Sequence, residues 1–190
     1  MLKNAIKNKL LGNVVFSEKK MILLEHGIDI LISDGRNYLC VLFLSFLFKN
    51  TNHALLYLIV LSSLRVHTGG WHASTELMCF LSYQGMFILF SFLNLLDFPD
   101  FICTILMLLS TLYIIRCAPI EHKYNPMSDE EIKKNQHLCY LYCFFYLLLF
   151  FLFQMFLTSS YSQDIVIAFV YNAILMILLQ RSKAFRYYEN

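Results

Sequence analysis

Between two apolar stretches of the chain lies a polar island, Arg65-Val-His-Thr-Gly-Gly-Trp-His-Ala-Ser-Thr-Glu-Leu-Met-Cys79. It gathers an arginine, two histidines, two adjacent glycines and a cysteine into one short run. Ionisable groups at membrane depth are costly and count by default as functional-site candidates. The chemistry such a set offers is nucleophilic: a thiol that becomes a thiolate, with a base within hydrogen-bond reach. His72 and Cys79 are the closest such pair in the island.

Their spacing sets how they can meet. Seven residues along one straight helix return to nearly the same face, but about 10.5 Å apart along the axis. That is too far for a hydrogen bond, so the pair works only if His72 lies off the helix and folds back over its first turns. Gly69-Gly70 supplies a permissive backbone for such a fold-back. Ser74 or Thr75 can cap the helix start, and Glu76 suits the positive end of the dipole. Cys79 then sits just past the first turn, where the dipole's help has faded, so its activation rests mainly on an ion pair with His72.

Plainer accounts compete with this one. A histidine at a membrane interface is commonly a polar anchor, and a glycine pair is commonly a turn. His53, His67, His72 and Cys79 could also be zinc ligands. Yet HxxxxH with a distant cysteine matches no strong site pattern, and no HExxH is present. Neither a metal nor another cofactor is expected.

The elements that must hold the island are membrane helices. The chain has 190 residues, 58% hydrophobic and only 15% charged, with a mean hydropathy of +0.58. Soluble domains run at about 45–50% apolar and about 25% charged. Disorder, collagen-like structure and coiled coil are excluded by the same composition. Apolar runs predict six spans, at 30–48, 53–64, 76–96, 101–117, 137–157 and 165–180, against a requirement of about 20 helical residues per crossing. The fold expected is an all-α integral membrane protein, read as one membrane domain over 1–190. Ahead of the spans, Leu2, Ile6, Leu10 and Val14 recur every four residues, with Lys3, Asn4, Lys7 and Asn8 opposite. Residues 1–20 therefore read as a basic amphipathic helix lying on anionic lipid, and no removable signal peptide is expected.

Lysine and arginine placement sets the orientation. With six crossings and a cytoplasmic N-terminus, the inside receives the five N-terminal lysines, Arg65, Arg116, Lys123, Lys133, Lys134, Arg181, Lys183 and Arg186. The outside receives Lys49 alone, and the 97–100 and 158–164 connections carry no Lys or Arg. Both termini are thus expected in the cytoplasm, with 118–136 as a cytoplasmic loop. Of the six cysteines, Cys40, Cys103, Cys117, Cys139 and Cys143 fall in or at the ends of apolar runs and read as small packing hydrophobes. No disulfide framework is expected.

The run RVHTGGWHASTELMC resembles the Arg-x-His-x-x-Gly-x-His-Ala…Cys signature of the AgrB (accessory gene regulator protein B) family, including the His-to-Cys spacing. After the fourth span, Ala118-Pro-Ile-Glu-His-Lys-Tyr-Asn-Pro-Met-Ser-Asp-Glu-Glu131 is similar to that family's Ala-Pro-x-Glu-His-Lys loop. Thr68-Gly69 is a departure, since some relatives carry other small residues there; it leaves the dyad untouched. The resemblance implies a membrane cysteine endopeptidase of bacterial quorum sensing, in the cell membrane. Its substrate would be an AgrD-like precursor peptide with an amphipathic leader, a central pheromone sequence and an acidic tail. On that analogy 65–79 is the catalytic segment, with Cys79 the nucleophile and His72 the base and then acid. Arg65, Gly69 and Gly70 are carried over as supporting positions, and a homodimer is expected. Lys123, Lys133 and Lys134 are candidates for binding the acidic tail of the precursor, whereas Arg181, Lys183 and Arg186 suit topology and lipid contact. No nucleic acid partner is expected.

Two rivals come from other classes. A small transporter or peptide-export component would use the island as a constriction and His72 as a proton relay; it predicts charges inside several spans. A peptide-binding scaffold without catalysis would tolerate loss of Cys79.

Overall fold

Helix starts and stops follow local chemistry. In the computed structural model, which describes residues 18–69, 75–120, 127–156 and 159–181 and the side chains of the first helix from residue 31 on, six α-helices and no strand occur among the described residues. They are α1 (Glu18–Leu47), α2 (Thr51–Thr68), α3 (Glu76–Leu93), α4 (Asp100–Cys117), α5 (Asp129–Phe156) and α6 (Ser159–Arg181). Thr75 caps α3 by accepting from the Met78 backbone N–H at 3.2 Å, as the sequence leads one to expect. Asp100 stands in the first turn of α4, where a carboxylate favours the dipole. That helix stops at Cys117 because Ala118 precedes a proline and is driven into extended backbone.

The expected 118–136 loop is shorter than predicted, and the fifth helix begins at Asp129 rather than 137. The cause is a capping box. The Ser128 backbone N–H donates to Glu131 Oε2 at 2.8 Å, and the Glu131 N–H returns to Ser128 Oγ at 3.3 Å. Likewise α6 starts at Ser159, so most of the 158–164 connection is helical. The predicted interfacial helix at 1–20 lies outside the described residues except for 18–20, which open α1.

Four helices, α3 to α6, are long and apolar enough to cross a membrane among the described residues, against six spans expected. The other two carry polar groups inside their length: Asp34, Arg36 and Asn37 in α1, and His53, Arg65 and His67 in α2.

Packing places α6 at the centre. It lies against α2, α4 and α5, while α1 packs on α2 and α3. Of its apolar window 78% is buried, against 22–28% in α3, α4 and α5. Tyr57, Phe87, Phe90, Phe150, Phe169 and Met176 fill the interior, with Tyr57 stacked on Phe90 at 4.3 Å between centroids. The outer faces of α4 and α5 expose Phe101, Leu109, Leu112, Phe144 and Phe145. Apolar patches of that extent are untenable in water and are the natural surface against lipid. Several serine hydroxyls bond back one turn, as Ser110 Oγ does to the Leu106 carbonyl at 2.7 Å, which satisfies those side chains without water.

Candidate active site

One end of the bundle collects the exits of α2, α4 and α6 with the starts of α3 and α5. Both motifs of the sequence arrive there. At the close of α2, Thr68 is fully buried and Gly69 adopts φ +72°, ψ −175°, a conformation that L side chains rarely adopt. The Ile120 backbone N–H donates to the Thr68 carbonyl at 2.9 Å, so the Ala118–Ile120 segment is stitched to the Thr68–Gly69 turn. A Cβ on Gly69 would stand 2.5 Å from the Ile120 carbonyl oxygen. Glycine is required there by close approach as well as by dihedral. The glycine freedom anticipated in the island is thus used at Gly69.

Across a five-residue gap, α3 restarts at its Thr75 cap. The Cys79 N–H donates to the Thr75 carbonyl at 3.0 Å, which sets Cys79 one turn into the helix, half-buried and free. Gly70 and His72 lie in 70–74, outside the described residues, and Lys123 lies outside them too. Arg65 is half-buried on the last turn of α2 rather than in a loop. Lys133 and Lys134 are exposed on the second turn of α5, on a helix where a loop was expected.

His67, the other histidine of the island, points elsewhere. Its Nδ1 meets Asn135 Oδ1 at 3.1 Å, and its ring stacks on Tyr142 at 5.3 Å. It is a tether between α2 and α5. His53 and His67 stand fourteen residues apart on one helix, about 21 Å at the usual rise, so they cannot share an ion.

Sequence reasoning missed the groups that α1 brings to α3 just beyond Cys79, against Phe80, Tyr83 and Gln84. Tyr83 stands one turn beyond the cysteine on α3. Its ring is 6.1 Å from that of Tyr38, and Gln84 Nε2 donates to the Asn37 carbonyl at 3.3 Å. The Arg36 guanidinium rests 5.2 Å over the Phe80 ring, a cation–π contact. The available signal was the i, i+4 pair Asp34 and Tyr38 in an otherwise apolar run.

A second polar centre occupies the opposite end. Asp164 has 0% exposure and its Oδ2 meets His53 Nδ1 at 2.7 Å; Tyr161 stacks on that imidazole at 4.7 Å. By sequence, Asp164 closes the 158–164 connection. The structure instead puts it inside α6, because Ser159 to Gln163 extend the helix outward past it.

Comparison with known proteins gives one result. The chain matches the family Accessory gene regulator B over residues 3–180. No curated protein and no solved structure gives a match. A family match spanning nearly the whole chain, with both motifs of the sequence stitched together at one end of the helical bundle, makes this protein a member of the AgrB family, with a role in accessory-gene-regulator quorum-sensing peptide processing.

Proposed function

We propose that the protein is a cysteine endopeptidase that cuts the C-terminal tail from an AgrD-like precursor and promotes closure of the pheromone ring. The carrying observation is the half-exposed Cys79 thiol one turn inside the capped start of α3. His72 precedes Thr75 by three residues in the sequence, a chain length that spans at most about 11 Å, which supports the pairing. In this reading the Cys79 thiolate attacks the carbonyl after the pheromone segment, forming the C–S bond. His72 gives its proton to the leaving amine, and the acidic tail departs. The acyl-enzyme thioester is resolved by a thiol or hydroxyl of the substrate, which forms a thiolactone or lactone and returns the proton to Cys79. Thioester exchange is nearly isoenergetic, so exclusion of water protects cyclisation from hydrolysis. Arg65, Gly69 and Gly70 support this centre, Gly69 by the turn described above.

The whole chain acts as one membrane domain in the bacterial cell membrane, with lipid around it and a second copy as partner. Both termini and the Cys79 end face the cytoplasm, in keeping with the positive charge gathered there. Lys123, Lys133 and Lys134 then attract the acidic tail over a Debye length of about 8 Å.

The experiment is precursor cleavage by Cys79→Ala and His72→Ala in proteoliposomes. Both variants should insert normally and release no tail, while Cys103→Ala stays active; tail release by Cys79→Ala overturns the reading. A second reading, peptide export, is favoured by the buried His53–Asp164 pair, since it predicts charge within the spans. Product appearing outside vesicles in proportion to an intact pair, with cleavage unchanged, would support it.

A further inference from the structure

Helices α3 and α4 follow one another in the chain but pack on different partners: α3 leans on α1, and α4 on α5 and α6. Near the end of α3 and the start of α4, a cavity of about 170 Å³ opens between them over α6. Its floor is Cys103 of α4 with Val166 and Ile167 of α6, each at most 6% exposed. Its rim is Leu93, Phe98 and Val170, which are half-buried, and Leu106, which is exposed. The Gln163 amide that borders it is already engaged, its Nε2 donating to the carbonyls of Leu93 and Leu96 at 2.9 Å. Gln163 and Tyr171 both line the cavity, and eight residues of helix separate them by about 12 Å. The space therefore runs lengthwise along α6.

The lining decides what enters. Water requires two to four polar partners, whereas apolar cavities of about 150 Å³ stay dry and take up a benzene-sized guest. The rim is continuous with the lipid-facing surface of α4, where Phe101, Ile105 and Leu109 are exposed. Hydrocarbon is thus the medium that reaches the mouth. Lipid tails are as apolar as leucine, so entry brings no hydrophobic gain. What the site offers a tail is close contact on several sides at once, and dispersion attraction grows with the number of contacting atoms. We infer that the cleft between α3 and α4 is a binding site for one acyl chain of a membrane phospholipid, lying along α6. The inference is independent of the endopeptidase reading.

The test places the full-length protein in nanodiscs containing a phospholipid with a photoreactive diazirine in one acyl chain. After irradiation, adducts are located by mass spectrometry of peptides. They should appear at buried Cys103, Val166 and Ile167 as well as at lipid-facing Leu109 and Leu112. Val166→Phe, which fills the floor, and Leu106→Trp, which narrows the mouth from an exposed position, should each lose the buried adducts and keep the exposed ones. Leu106→Trp leaves the packed floor untouched, so it decides should Val166→Phe fail to fold. Labelling confined to Leu109 and Leu112 in the wild type overturns the inference. So do buried adducts that persist in Leu106→Trp, since the tail then reaches those residues by another route. Buried adducts present in discs holding one copy but absent in discs holding two would give the cleft to a protein partner and overturn the lipid site.

Discussion

Replacing Gly69 by alanine adds one methyl group at the junction of the two motifs. Two costs follow from the geometry. An L side chain at φ +72°, ψ −175° occupies a region used essentially by glycine alone, at about 1–3 kcal/mol. The new Cβ would also stand 2.5 Å from a backbone oxygen of Ile120, and relief requires that segment to withdraw. Withdrawal gives up the Ile120 N–H to Thr68 carbonyl bond, about 1 kcal/mol net. The sum, about 2–4 kcal/mol, lowers the closed-to-open ratio of the junction roughly thirtyfold to almost a thousandfold at 1.36 kcal/mol per decade. The helices remain packed, so the loss is local. Precursor cleavage should fall by a comparable factor, and amide exchange at Ile120 and Gly69 should accelerate while α6 stays protected. Gly85→Ala is the control: it lies within α3 with nothing within 4 Å of its would-be Cβ, and alanine there should stabilise by about 0.5–1 kcal/mol. Wild-type cleavage and exchange in Gly69→Ala, or equal damage from Gly85→Ala, would refute the reasoning.

Other expectations concern charge. His53→Ala leaves Asp164 Oδ2 buried without its hydrogen-bond partner, and a buried polar group orphaned in this way costs about 1–3 kcal/mol; a double variant, His53→Leu with Asp164→Leu, should unfold at a higher temperature than the single one, and a single variant as stable as wild type would show that the pair contributes nothing. Reversing Lys133 and Lys134 to Glu should raise KM for an acidic-tailed precursor and spare one with a neutralised tail; equal loss on both would place the effect in folding. A cysteine at exposed Glu130, on the first turn of α5, should resist a membrane-impermeant thiol reagent in intact cells, and labelling there would reverse the orientation.

Much of the architecture is legible in the one-dimensional pattern, for identifiable reasons. The Thr75 cap, the Asp100 start of α4 and its stop before Pro119 depend on neighbours in sequence, so local rules find them. The early starts of α5 and α6 escape a search for apolar runs, which detects bilayer thickness and passes over polar turns outside it. The Ser128–Glu131 box is a helix-start signal in the sequence, but it lies in a polar stretch ahead of the apolar run. Tertiary pairings were out of reach. Nothing in the neighbourhood of Asp34 and Tyr38 announces Tyr83, and His67 looks as chemical as His72 until Asn135 and Tyr142 are seen to hold it. Asp164 was misjudged because a carboxylate near the end of an apolar run reads as a surface residue until its imidazole partner is found.

The central position of α6 bears on how the protein is made. It follows in sequence, and so in synthesis, every described helix it touches. Its flank carries Asp164, Asn172 and Gln163, and the last donates 2.9 Å bonds to the carbonyls of Leu93 and Leu96. Asp164 stands in the second turn of α6, where an aspartate resists insertion of the isolated helix by less than the about 2.5–3.5 kcal/mol it costs at a helix centre, a penalty that His53 relieves once α2 is in place. The earlier described helices lack their central partner until α6 enters, and its entry brings Asp164 to His53 and Asn172 to Thr68. Chains truncated before Ser159 would leave His53 and Thr68 without their partners on that axis, which makes the finished C-terminal helix the checkpoint of assembly.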